Sequence, residues 1–231
     1  MIVEHVPLRR EVKDIIIADI VLITAFTLTL SGGIFDITPK SVGGVLLLLP
    51  MVALGVTLSF VLHELMHKYV AQHYGAIAGF RTSTTGLLIT LVTGLFGFLI
   101  GIPGATMIYA HNFTKKENGI VSLAGPLTNF AIFAVFLAIT VVANPVQGGY
   151  LSQTAGFVIS ISLLLAFFNM LPIYPLDGSK VLRWNPTVYV ITMGVIFVLM
   201  YAFTAIPLSE IAVMLVFALF FSMLYKGMLN F

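Results

Sequence analysis

Two histidines four residues apart, with a glutamate directly after the first, stand inside an apolar stretch as His63-Glu64-Leu65-Met66-His67. On a helix, residues four apart lie on one face, so both imidazoles can reach a single ion. Glu64 then sits close enough to an attacking water to take its proton. The chemistry this spacing serves is metal-assisted hydrolysis, with two histidines as ligands and the glutamate as general base. The surroundings add weight, because ionisable groups within an apolar segment are costly and mark function by default. The plainer alternative is a polar helix end at an interface, since Lys68 and His73 follow directly.

A catalytic zinc takes three protein ligands and leaves a position open for water. The chain has no cysteine, so the third ligand must be another histidine (His5, His73 or His111) or a carboxylate. Asp177 is preferred. It lies in Asn169-Met170-Leu171-Pro172-Ile173-Tyr174-Pro175-Leu176-Asp177-Gly178, where two prolines and a glycine interrupt an apolar run. Irregular backbone at the edge of a membrane is tolerated where it lines a cavity or is buried in protein. The plainer reading of Asp177 is a turn residue before glycine.

The elements that must position these groups follow from composition. Hydrophobic residues make up 59% of the 231 and charged residues 9%, with a mean hydropathy of +1.09. Soluble domains carry roughly 25% charge. The expected fold class is therefore an all-α polytopic membrane protein, a single domain over 1–231 in the lipid bilayer. The net charge of +2 gives no footing for nucleic acid, and the polar start of the chain suggests no cleavable signal peptide. Apolar stretches predict spanning helices at roughly 15–31, 45–72, 119–143, 153–171, 187–206 and 209–228. Asp19 interrupts the first and should snorkel or be buried against a neighbouring helix. Pro50 should kink or start the second.

Residues 87–110 are uncharged and long enough to span, but Gly94, Gly97, Gly101, Pro103 and Gly104 suit a straight helix poorly. The positive-inside rule decides against a crossing here. With six crossings and the N-terminus inside, every lysine and arginine except Lys40 lies on the cytoplasmic side. A seventh crossing at 87–110 would split them almost evenly. The stretch at about 80–112 is therefore expected to be a re-entrant or β-hairpin-like membrane-associated segment. Both termini are then cytoplasmic, and Trp184 beside Arg183 reads as an interfacial anchor. Six crossings also bring the cytoplasmic ends of the second and fourth helices together, so that Asp177 meets His63 and His67. Seven would leave them on opposite faces.

Taken together, His63-Glu64-x-x-His67 in a membrane helix, with Asn169-x-x-Pro172 and Leu176-Asp177-Gly178 downstream, resembles the site-2 protease family of intramembrane zinc metalloproteases. Ala124-Gly125-Pro126 with Asn129 is similar to a Gly-Pro segment of that family, and Pro103-Gly104 resembles its membrane-associated β-hairpin. The resemblance runs from about residue 58 to 183. It implies His63, His67 and Asp177 as ligands of one catalytic Zn2+, Glu64 as general acid/base, and Asn169 as a catalytic residue that orients substrate or stabilises the oxyanion. It further implies Pro103, Gly104 and Asn129 as substrate-binding residues, and a single-span transmembrane protein as substrate. Ser179 departs from the family, where a second glycine is common, and neither a PDZ nor a CBS module is seen.

Two other functions are compatible with the ligands. A proteolytically inactive zinc-binding chaperone or scaffold would have no need of Glu64. A metal-ion transporter would place ionisable residues along a path through several helices, whereas here they gather at one depth.

Overall fold

The computed structural model describes residues 8–38, 42–110, 112–204 and 216. The chain begins with helix α1 (Leu8–Leu30). A long rod follows, made of α2 (Val42–Val56), a π-helical turn (Thr57–Val61) and α3 (Leu62–His73). Strand β1 (Ile77–Thr82), helix α4 (Thr84–Leu95) and strand β2 (Gly104–Tyr109) come next. Helices α5 (Lys115–Ala143), α6 (Tyr150–Asn169), α7 (Asp177–Trp184) and α8 (Pro186–Phe203) complete the described chain.

Four of these elements are long and apolar enough to cross a membrane: the rod Val42–His73, α5, α6 and α8. Helix α1 has the length but carries Lys13, Asp14 and Asp19 and is not among them. The helix expected at 209–228 lies outside the described residues, apart from Val216. Pro50 sits inside α2 rather than at its start. Asp19 is held against the rod, where Thr57 Oγ1 donates to its Oδ2 at 2.7 Å.

The segment at 80–112 departs from a simple hairpin. The two strands pair antiparallel, from Ile77 opposite Tyr109 to Thr82 opposite Gly104, but helix α4 stands between them. The helix forms because Ser83 caps it, accepting the Gly86 N–H at 3.1 Å. It ends where Gly97 turns left-handed at φ +81. Its 12 residues reach about 18 Å at 1.5 Å per residue, short of the ~30 Å hydrocarbon core. Gly86 is needed here, because a Cβ would lie 1.8 Å from the Ile102 carbonyl oxygen of the returning chain.

Lipid-facing helices gain little from apolar burial, so association depends on close contact through small residues. Gly94 of α4 lies against the Ala25 backbone of α1, and Gly55 of α2 lies under Phe157 of α6. Two larger clusters result. One joins α5, α6, α7 and α8 around Phe167, Met170 and Met200. The other joins α1, α2 and β1 around Val52, Phe60 and Phe80. The Trp184 side chain, half-buried, packs on Gly119 of α5 and against the first cluster.

A buried ionic link fastens α1 to the rod. Lys68, next to His67, bonds Glu11 Oε2 at 2.6 Å, and Glu11 Oε1 accepts the Phe80 N–H of β1 at 3.2 Å. Glu11 is therefore shared by three elements. Removing one member of a buried pair leaves the other uncompensated. Glu11→Ala should destabilise the fold by about 3 kcal/mol, with Glu11→Gln closer to wild type, and thermal unfolding in detergent measures both. An unchanged midpoint in Glu11→Ala would show that the link contributes nothing.

Candidate metal centre

The two histidines and the aspartate converge. His63 and His67 lie one turn apart on α3 and are both buried. Their Nε2 atoms are 3.0 Å apart. Asp177 Oδ2 lies 3.0 Å from His67 Nε2 and 3.5 Å from His63 Nε2. Bonds of roughly 2.0–2.1 Å to a tetrahedral zinc would separate its ligand atoms by roughly 3.3 Å, so the three donors already have the spacing such an ion requires. They are the one such group among the described residues. His73 is not part of it, and His5 and His111 lie outside the described residues.

Each partner is placed by a local feature of the chain. The Nδ1 of His67 meets the Val121 carbonyl of α5 at 2.7 Å. That contact suits an N–H on Nδ1 and turns Nε2 toward Asp177, the ring orientation a metal-ligating histidine takes from its outer partner. The approach of α5 depends on Gly125, where a Cβ would come within 2.4 Å of His67 Nε2 and 2.5 Å of His63 Nε2. Asp177 opens α7 with Leu176 as its N-cap. The preceding chain turns through hydrogen bonds from Ile173 N to Leu171 O and from Leu176 N to Ile173 O. Gly178 lets this turn close, because a Cβ there would sit 2.0 Å from the Met170 carbonyl oxygen.

Burial pushes the Asp177 carboxyl up, but the charge of His67, hydrogen bonds from both histidines and the Lys180 ammonium outweigh it. They hold the carboxyl below the usual carboxylate range. The group is thus an anion in a buried setting, with Oδ2 turned to the imidazoles and Oδ1 3.5 Å from Lys180 Nζ.

The remaining predicted residues are placed as follows. Glu64, half-buried, faces β2. Its Oε2 accepts the Thr106 N–H at 2.9 Å and the Thr106 hydroxyl at 2.8 Å. Gly104 begins β2 and Pro103 is buried just before it. Asn129 lies one turn beyond Gly125 on α5, fully buried, and neither of its amide atoms has a protein partner among the described residues. Asn169 ends α6, and its Nδ2 donates to Leu165 O at 3.0 Å. That bond ties the side chain to its own helix and leaves one amide hydrogen for other use. Thr106 and the Val121 carbonyl were not foreseen, since neither belongs to a motif and both act through strand or helix pairing across the chain.

The MJ0611 protein of Methanocaldococcus jannaschii is 46% identical over 133 residues, which cover 57% of this chain and 69% of the relative. The YwhC protein of Bacillus subtilis is 30% identical over 157 residues, 59% of this chain and 69% of the relative. The Rip2 protein of Mycolicibacterium smegmatis is 32% identical over 201 residues, 77% and 73% respectively. All three carry names that make them candidate zinc metalloproteases. No protein-family model matches the chain, and no solved structure does.

Gly125 gives a direct test of the centre. Alanine favours the helix over glycine by about 1 kcal/mol, so Gly125→Ala should leave α5 intact while its methyl group drives the imidazoles apart. Zinc affinity, read by competition with a chelating dye, should fall by on the order of tenfold or more. Wild-type affinity would mean that α5 does not press on the site.

Proposed function

This chain belongs to the site-2 protease family of zinc metalloproteases, and from that premise we propose that it hydrolyses peptide bonds of membrane-embedded protein substrates. The observation that carries the reading is the convergence of His63, His67 and Asp177 within 4.8 Å of one another, with Glu64 on the same helix as the histidines. His63 and His67 through Nε2, and Asp177 through Oδ2, would hold one zinc ion. Zinc so bound supplies Lewis acidity, lowering the pKa of water and polarising a carbonyl.

The chain's own groups do the rest. Glu64 accepts a proton as the water oxygen bonds to the scissile carbonyl carbon. It returns that proton to the amide nitrogen as the C–N bond breaks, giving an amine and a carboxylic acid. Asn169, through its remaining amide hydrogen, serves the developing oxyanion. A helical substrate hides its amides in its own hydrogen bonds and must unwind locally to be cut. Apart from the Thr106 N–H that Glu64 takes, the edge of β2 away from β1 offers backbone groups to hold it extended, with Pro103 and Gly104 at its entry and Asn129 deeper on α5.

The topology belongs to the same proposal: six crossings, both termini and the active site toward the cytoplasm, and a single-span protein as substrate. The asymmetry of lysine and arginine supports it, as does the shortness of α4. A scaffold or chaperone would share the zinc ligands, but it has no use for a carboxylate beside them.

The test is reconstitution with single-span substrates. Cleavage should require zinc, stop with chelator and return on adding the metal. Glu64→Gln should retain zinc and lose activity by roughly 10²–10⁴-fold. Cleavage that survives chelation or the Gln substitution would overturn the assignment.

A further inference from the structure

Glu64 is not held by its own helix. Its Oε2 takes two hydrogen bonds from one residue of β2, the Thr106 N–H at 2.9 Å and the Thr106 hydroxyl at 2.8 Å. The same hydroxyl also lies 3.1 Å from the Glu64 carbonyl oxygen. The second carboxylate oxygen, Oε1, accepts no hydrogen bond among the described residues.

The strand register explains why the N–H is available. Thr106 stands opposite Phe80, and the Phe80 N–H goes to Glu11 on the far side of β1. Phe80 and Thr106 therefore form a pair that exchanges no backbone bonds, and their N–H groups point to opposite outer edges of the sheet. The β1 edge is closed by Glu11. The β2 edge presents its donor to α3, at the position of the base.

From this geometry we infer that Thr106 is a positioning residue for the reaction, fixing the Glu64 carboxylate through Oε2 so that Oε1 alone handles the proton. The inference rests on the proteolytic reading of Glu64 and adds a residue outside the metal motifs. A free glutamate side chain samples several rotamers, and a proton acceptor works only within hydrogen-bond reach of the proton it removes. Two donors on one oxygen remove that freedom, and they tie the base to the strand along which an extended substrate would lie.

The test compares Thr106→Val with Thr106→Ser. Valine keeps the shape and branching of the strand residue and loses the hydroxyl, whereas serine keeps the hydroxyl. Thr106→Val should lower kcat by on the order of tenfold, with KM and zinc affinity close to wild type, and Thr106→Ser should restore most of kcat. Wild-type kcat in Thr106→Val, or an equal loss in both variants, would overturn the inference. Amide hydrogen exchange needs no turnover and checks the contact itself. The Thr106 N–H should exchange slowly in the wild-type chain and at least about tenfold faster in Glu64→Ala. Equal rates would also overturn it. A zinc-loaded wild-type chain that cleaves nothing would count against the protease reading, and the exchange rates would still decide whether Glu64 is held by Thr106.

Discussion

The contact between α3 and α5 at Gly125 is the constraint on which the rest of the site depends. Two imidazoles one turn apart on α3 need room, and a side chain at position 125 would occupy the place of their Nε2 atoms. The absence of that side chain lets α5 come close enough for the Val121 carbonyl to fix the ring of His67. The same closeness brings the far end of the bundle inward. Gly119 on α5 receives Trp184 of α7, and α7 begins with Asp177. One helix thus orients a histidine with its Val121 carbonyl and, two residues earlier in its own sequence, seats the short helix that carries the carboxylate.

Such an arrangement suits a solvent that provides no hydrophobic drive between helices. Small residues are placed where backbones must touch: Gly94 on Ala25, Gly55 under Phe157, Gly178 on Met170. Polar groups appear inside only in pairs or clusters, as with Ser59 and Ser162 at 2.8 Å or Lys68 and Glu11. Among the described residues five buried side-chain atoms lack a hydrogen-bond partner, and three of them, His63 Nδ1 and both amide atoms of Asn129, lie near the centre, where a buried polar group without a partner calls for a water, an ion or a functional role.

Much of the site was legible in the sequence because its signals are local. The spacing of His63 and His67 needs only helical geometry, and Asp177 stands out through Pro172, Pro175 and Gly178 around it. The apolar runs marked the rod, α5, α6 and α8 to within a few residues. What was not legible depends on pairing at a distance. Ile77–Thr82 has no striking alternation and becomes a strand only because Gly104–Tyr109 returns beside it. Helix α4 was hidden because its glycines argue against a helix, while the Ser83 cap that starts it is a single side chain. Helix α7 follows two prolines, and its start is visible only once Asp177 is seen to open it. Thr106 and Val121 belong to no motif and take their meaning from what lies opposite.

The π-helical turn at Thr57–Val61 has a wider consequence for the rod that holds the histidines. Hydrogen bonds that skip one residue further than in an α-helix insert an extra residue, and each residue advances the surface by about 100°. The α2 and α3 halves are therefore out of phase with each other. The first half can keep its packing face toward α1 and α6, while the second swings its imidazoles to α5, without either surface having to serve both neighbours.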